Sequence, residues 1–232
     1  MTLLILGLLL FLGVHSVRVF ADGGRTSLRE RLGDNGYKGL YSVLSLLGFA
    51  LLIWGYGAAR QQPVLLWVPP AWTRHLAALL TIPAFVLLAA AYVPGNAIKA
   101  RLHHPMVLGV KAWALAHLLA NGMLADLLLF GGFLVWAALS FRAARQRDRT
   151  ARTVYAPGRL VPTLLTVALG LAAWAGFAFW AHAAWIGVRP FGGGGSSGEL
   201  GAPVRGPPGR CPGTPPTSPP RGDGRRGGRA RA

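Results

Sequence analysis

The chain has 232 residues, 53% of them hydrophobic and 13% charged, with a mean hydropathy of +0.43; soluble domains carry roughly a quarter charged residues, so a water-soluble globule is not the expected class. The 24 Lys and Arg outweigh 7 Asp and Glu to give +17, yet net charge governs solubility and surface attraction rather than fold. A single cysteine, Cys211, excludes a disulfide framework, a thiolate zinc cluster and a Cys-x-x-Cys-His attachment site.

A helix crosses the ~30 Å hydrocarbon core of a bilayer in about 20 predominantly apolar residues, satisfying its own backbone hydrogen bonds as it does so. Such runs occur near residues 2–20, 37–58, 74–93, 106–121, 123–141 and 160–188. The first resembles a secretory leader, but no Lys or Arg precedes it and no small-x-small cleavage site follows Phe20, so it is expected to be retained. The fourth is the shortest and contains Lys111. It is joined to the fifth through Asn121-Gly122, a turn signal that predicts a helical hairpin. Pro105 is placed to open the fourth helix, and Pro83 and Pro162 to kink or begin the third and sixth.

With six spans, alternate loops share a side, and the basic residues can be counted accordingly. The loops after spans one, three and five, with their flanks, hold Arg18, Arg25, Arg29, Arg31, Lys38, Lys99, Arg101, Lys111, Arg142, Arg145, Arg147, Arg149, Arg152 and Arg159. Those after spans two and four hold only Arg60 and Arg74. The segregation predicts basic loops in the cytoplasm, both termini on the periplasmic side, and no nucleic-acid partner for the excess charge. From residue 191 the composition shifts to 13 Gly, 8 Pro and 7 Arg in 42 residues, too few large apolar groups to offset the entropy of ordering. The expectation is an all-α, polytopic transmembrane bundle of about six helices over residues 1–190 and a disordered tail over 191–232. The tail has the composition of an out-of-frame end of a GC-rich gene, and its Arg221-Gly222-Asp223 is read as compositional.

Ionisable and metal-ligating side chains inside a membrane are costly and mark function by default. Here they are mostly histidines: His15 in span one, His117 in span four and His182 near the outer end of span six, with His75, His103 and His104 at span ends. A neutral imidazole is an axial haem ligand, and facing helices commonly hold such groups. It is equally a hydrogen-bonding group between helices, the reading favoured for His75 and His103. Asp126 is the one carboxylate within the spans, so paired-carboxylate chemistry is unsupported, and no Gly-x-Ser-x-Gly, His-Glu-x-x-His or phosphate-binding glycine loop occurs. Neither an internal repeat nor paired broken helices favour a solute transporter. By depth alone, His15 pairs with His104 and His117 with His182, because His117 stands about 12 residues, or ~18 Å, from His104.

Several segments together resemble the NnrU family, whose domain is shared with 15-cis-zeta-carotene isomerases. They are Val14-His15-Ser16, Asp34-Asn35-Gly36-Tyr37 leading into Gly39-Leu40-Tyr41-Ser42, His104-Pro105, and Trp113-Ala114-Leu115-Ala116-His117 running to Ala120-Asn121-Gly122. The resemblance covers roughly residues 1–190. It implies a multi-pass protein of the bacterial inner membrane associated with denitrification and nitric oxide metabolism, binding haem b through His15 and His117 as axial ligands. His104 is the alternative ligand on the depth argument. The isomerase branch implies a haem-dependent cis-trans isomerase acting on a lipid-soluble, carotenoid-like polyene. That branch has a cysteine where this chain has Ala114, which speaks against isomerase activity and leaves bis-histidine ligation open. The partners implied are the lipid bilayer and, in the isomerase branch, a lipid-soluble substrate.

Overall fold

In a computed structural model of the chain, residues 1–188 and Pro190 are described; the expected tail, including Cys211, lies outside them. The described residues are helical and carry no strand, only isolated bridges between Leu65 and Met123 and between Asn96 and Arg159. The helices are α1 (Thr2–Phe20), α2 (Asp22–Gln61), α3 (Trp72–Tyr92), α4 (Ala97–Leu102), α5 (Pro105–Ala120), α6 (Leu124–Thr150), α7 (Leu160–Gly176) and α8 (His182–Ile186), the last two joined by a π-helical turn over Phe177–Ala181. Five are long and apolar enough to span a membrane, counting α7 through α8 as one, and α5 is a shorter apolar helix of 16 residues. The chain is a multi-pass membrane protein of the predicted helical class.

Three local differences from the sequence reading have physical causes. Residues 22–32, expected as loop, are helical and run into the second span through a bend at Gly33, whose φ of 70° and ψ of 167° suit glycine. Arg29 spans that bend with two hydrogen bonds to Asp34, at 2.6 and 2.8 Å. Between α3 and α5, Asn96 nucleates the short α4: its Oδ1 accepts from the Lys99 amide while its Nδ2 donates to the Ala90 and Val93 carbonyls. The last span is interrupted by the π-helical turn, a local widening of the helix.

Packing is inverted relative to a soluble domain. The buried apolar positions are mostly alanines, among them Ala84, Ala90, Ala114, Ala116, Ala125 and Ala137, while Leu9, Leu46, Trp54, Val161 and Trp180 are exposed. In lipid, large apolar groups gain nothing by burial, whereas small ones let backbones approach and gain dispersion contact. Between α1 and α2, a Cβ on Gly7 would meet the Leu52 nitrogen at 2.7 Å and one on Gly48 the Phe11 nitrogen at 2.8 Å. Gly55 lies against Leu3 and Leu4 in the same way. α1 packs on α2 and α6, α3 on α5 and α7, and the α5–α6 contact joins the two groups.

The connections sort into two ends. At one, Arg147 donates to the Arg18 carbonyl, His104 meets Asp148, and the Arg159 amide donates to the Gly95 carbonyl. At the other, the Leu66 amide donates to the Gly122 carbonyl, that of Leu124 to the Val64 carbonyl, and Arg60 to the Ile186 carbonyl. The loops rich in basic residues therefore gather at one end of the bundle and the sparse ones at the other, as the charge count requires.

Candidate functional site

Helix α6 touches the side chains that matter along its whole length and serves as a ruler of depth. From the charge-poor end, Asp126 meets Tyr56, Phe130 stacks on His117, Phe133 touches both Phe11 and Trp113, Trp136 stands edge-on to His15, Phe141 edge-on to His104, and Asp148 holds His104. By this ruler His117 and His15 are six residues apart, about 9 Å along the axis, and His15 lies five to twelve residues, about 8 to 18 Å, from His104, which meets α6 at both Phe141 and Asp148. The depth argument is corrected accordingly. His15 is not level with His104 but sits between it and His117, because α1 reaches down to Arg147 with Arg18, three residues further on.

The two intramembrane histidines are held alike. His15 Nδ1 lies 2.7 Å from the Phe11 carbonyl, and His117 Nδ1 lies 2.9 Å from the Trp113 carbonyl, each four residues back in its own helix. A carbonyl only accepts, so each Nδ1 carries the proton and donates. Each Nε2 keeps its lone pair, the arrangement that suits metal ligation. Both residues are partly buried, among rings. Phe11 stacks on His15 with centroids 4.2 Å apart, and Tyr41 lies at 5.4 Å. Phe130 stacks on His117 at 4.5 Å, with Trp113 at 5.2 Å. The imidazoles are not face to face: Phe133 occupies the level between them, its ring 5.8 Å from Phe11 and 5.6 Å from Trp113. Trp136 Nε1, on the ring that stands edge-on to His15, and Ser140 Oγ, one turn further along α6, are buried and have no hydrogen-bond partner among the described residues.

His104 is differently placed. It caps α5, with Pro105 as the first helical residue as anticipated. Its Nε2 lies 2.8 Å from an Asp148 oxygen that also accepts from the Tyr155 hydroxyl at 3.0 Å. Burial opposes the Asp148 charge, but the Tyr155 hydrogen bond and the nearby His104 and His103 hold its carboxyl below the ordinary range. Burial and the same hydrogen bond push the Tyr155 hydroxyl up. His103, at φ 68°, stacks flat on Tyr155 and accepts from Arg145. His75 is exposed, and His182 Nδ1 lies against the Val188 carbonyl at 2.7 Å. Tyr56, Phe133, Trp136, Asp148 and Tyr155 carry no signal of such a role in the sequence, since their contacts at the site join segments far apart along the chain.

Among the described residues no three His, Cys, Asp or Glu side chains converge as a metal site; a bis-imidazole site needs only two. A family model described as NnrU protein matches residues 3–190, and the chain belongs to that family. No curated protein and no solved structure matches it.

Proposed function

We propose that this member of the NnrU family is a bacterial inner-membrane protein, both termini periplasmic, that holds haem b inside the bilayer through His15 and His117. In this reading it serves denitrification or nitric oxide metabolism as an accessory or redox-responsive factor. The observation that carries the reading is the matched pair of imidazoles, each tied through Nδ1 to a carbonyl and each presenting a free Nε2 from a different helix.

Each histidine's surroundings suit such a group taken singly, whereas Phe133, at the level between the two rings, must move aside before one iron can take both. Phe11, Phe130, Trp113 and Phe133 offer flat apolar faces, and the orphaned Trp136 donor offers a hydrogen bond to a polar edge beside His15. Bound there, the haem supplies one-electron exchange. The chain's own part is to fix both tautomers through the Phe11 and Trp113 carbonyls and to exclude water with the aromatic wall. His104 is less suited as a ligand, since its Nε2 already faces Asp148. Periplasmic termini follow from placing the basic end in the cytoplasm.

The test is the absorption spectrum of the full chain purified in mild detergent from a haem-replete host. A Soret band, low-spin bands on reduction and a pyridine haemochrome of the b type are expected. A chain that stays colourless after incubation with haemin contradicts the proposal.

A further inference from the structure

The arginines at the basic end of α6 are more than a topology signal. Arg142, Arg145 and Arg149, with Phe141 and Gln146, line an open hollow of about 560 Å³. Lys111 of α5 reaches toward the same place, its ammonium 5.4 Å from the centre of the Phe141 ring. The ion pairs among the described residues are Arg25–Asp22, Arg29–Asp34 and His104–Asp148, so no carboxylate there neutralises these four cations. Arg145 gives one N–H to His103 and retains others, since a guanidinium has five.

The hollow continues a stripe along the helix. Val135, Ala138, Leu139, Arg142, Gln146 and Arg149 are all exposed, and their spacing of three, four and seven places them along one face. The polarity of that face changes once, between Leu139 and Arg142, from apolar to basic. A membrane-facing surface with an apolar track ending in a cluster of unneutralised guanidinium groups complements one kind of molecule. We propose that this face of α6 binds an anionic diacyl phospholipid, its phosphate held by Arg142, Arg145 and Arg149 and its acyl chain lying along Val135 and Leu139. Guanidinium groups suit the task because their planar fork meets phosphate oxygens in pairs. The positive-inside pattern accounts for how many basic residues this end carries; it does not account for their alignment above an apolar track. A free phosphate would use the arginines and leave the track unused, so the continuous stripe favours the lipid.

The experiment uses the full chain in neutral detergent, with lipid retention read by native mass spectrometry and thermal stability read in parallel. Phosphatidylglycerol is expected to bind about tenfold more tightly than phosphatidylcholine. Replacing Arg142→Gln and Arg149→Gln together should weaken phosphatidylglycerol on the order of tenfold to thirtyfold. Arg31→Gln with Lys38→Gln, which removes the same charge elsewhere at the basic end, should change it by less than about threefold. Equal binding of the two lipids by the unaltered chain overturns the proposal without reference to any variant. It is likewise overturned if inorganic phosphate reproduces the stabilisation given by phosphatidylglycerol, which would make the ligand a soluble anion, or if the control pair loses as much as the arginine pair.

Discussion

An imidazole in a bilayer is defined by what its two nitrogens face. His15 and His117 each spend Nδ1 on their own helix, whereas His104 spends Nε2 on Asp148, and this separates candidate ligands from a structural contact better than depth does. The sequence made the histidines visible because each interrupts an apolar run. It could not show Asp148 or Tyr155 as partners, since the His104 contact spans 44 residues and only the helix packing brings them together. That contact has a pH signature. The Asp148 carboxyl is held below its ordinary value, so its stabilising contribution is complete above the unfolded pKa of about 4 and disappears as pH falls through the lowered folded one. The Tyr155 hydroxyl is held above its ordinary value, so its share is complete below about pH 10 and is lost as pH rises through the raised folded value. Asp148→Asn should therefore cost about 1–2 kcal/mol at neutral pH and progressively less below about pH 4. Thermal melts across that range check it; a deficit independent of pH would contradict the assignment.

At the scale of elements, hydropathy exposed the spans because burial in lipid demands uniform apolarity. The short α4, the Gly33 bend and the π-helical turn depend on single backbone torsions and one capping side chain, which hydropathy does not report. Helix association follows another local rule, close approach at glycine, and two neighbours on α2 separate it from mere composition. Gly55 lies against the α1 backbone at Leu3 and Leu4, while a Cβ on Gly57 would meet nothing within 4 Å. Gly55→Ala should force α1 away and destabilise the protein by about 1–3 kcal/mol. Gly57→Ala should be neutral, or stabilising by up to about 1 kcal/mol because alanine is the better helix former. Unfolding in detergent micelles ranks the two, and equal effects would show that the α1–α2 contact is looser than described.

At the scale of the molecule, the arrangement of the loops was legible in fourteen basic residues on one set against two on the other, because charge position reports sidedness independently of packing. The hydrogen bonds that gather Arg18, Gly95, His104 and Asp148 at one end reach the same grouping by another route. Reporter fusions after Arg149 and after Val188 should report cytoplasm and periplasm respectively; the same compartment for both would contradict the proposed topology, in which the shorter α5 crosses along with the five longer spans. The legibility ends at the space between His15 and His117, two candidate ligands visible as interruptions of apolar runs, where the packing sets Phe133 at the intervening level. The most direct test is the reduced-minus-oxidised absorption spectrum of the purified chain beside four single variants. His15→Ala and His117→Ala should each lose the low-spin haem signal or the haem itself, with His75→Ala and His104→Ala matching the unaltered protein. A spectrum that survives His117→Ala and collapses in His104→Ala would contradict the account.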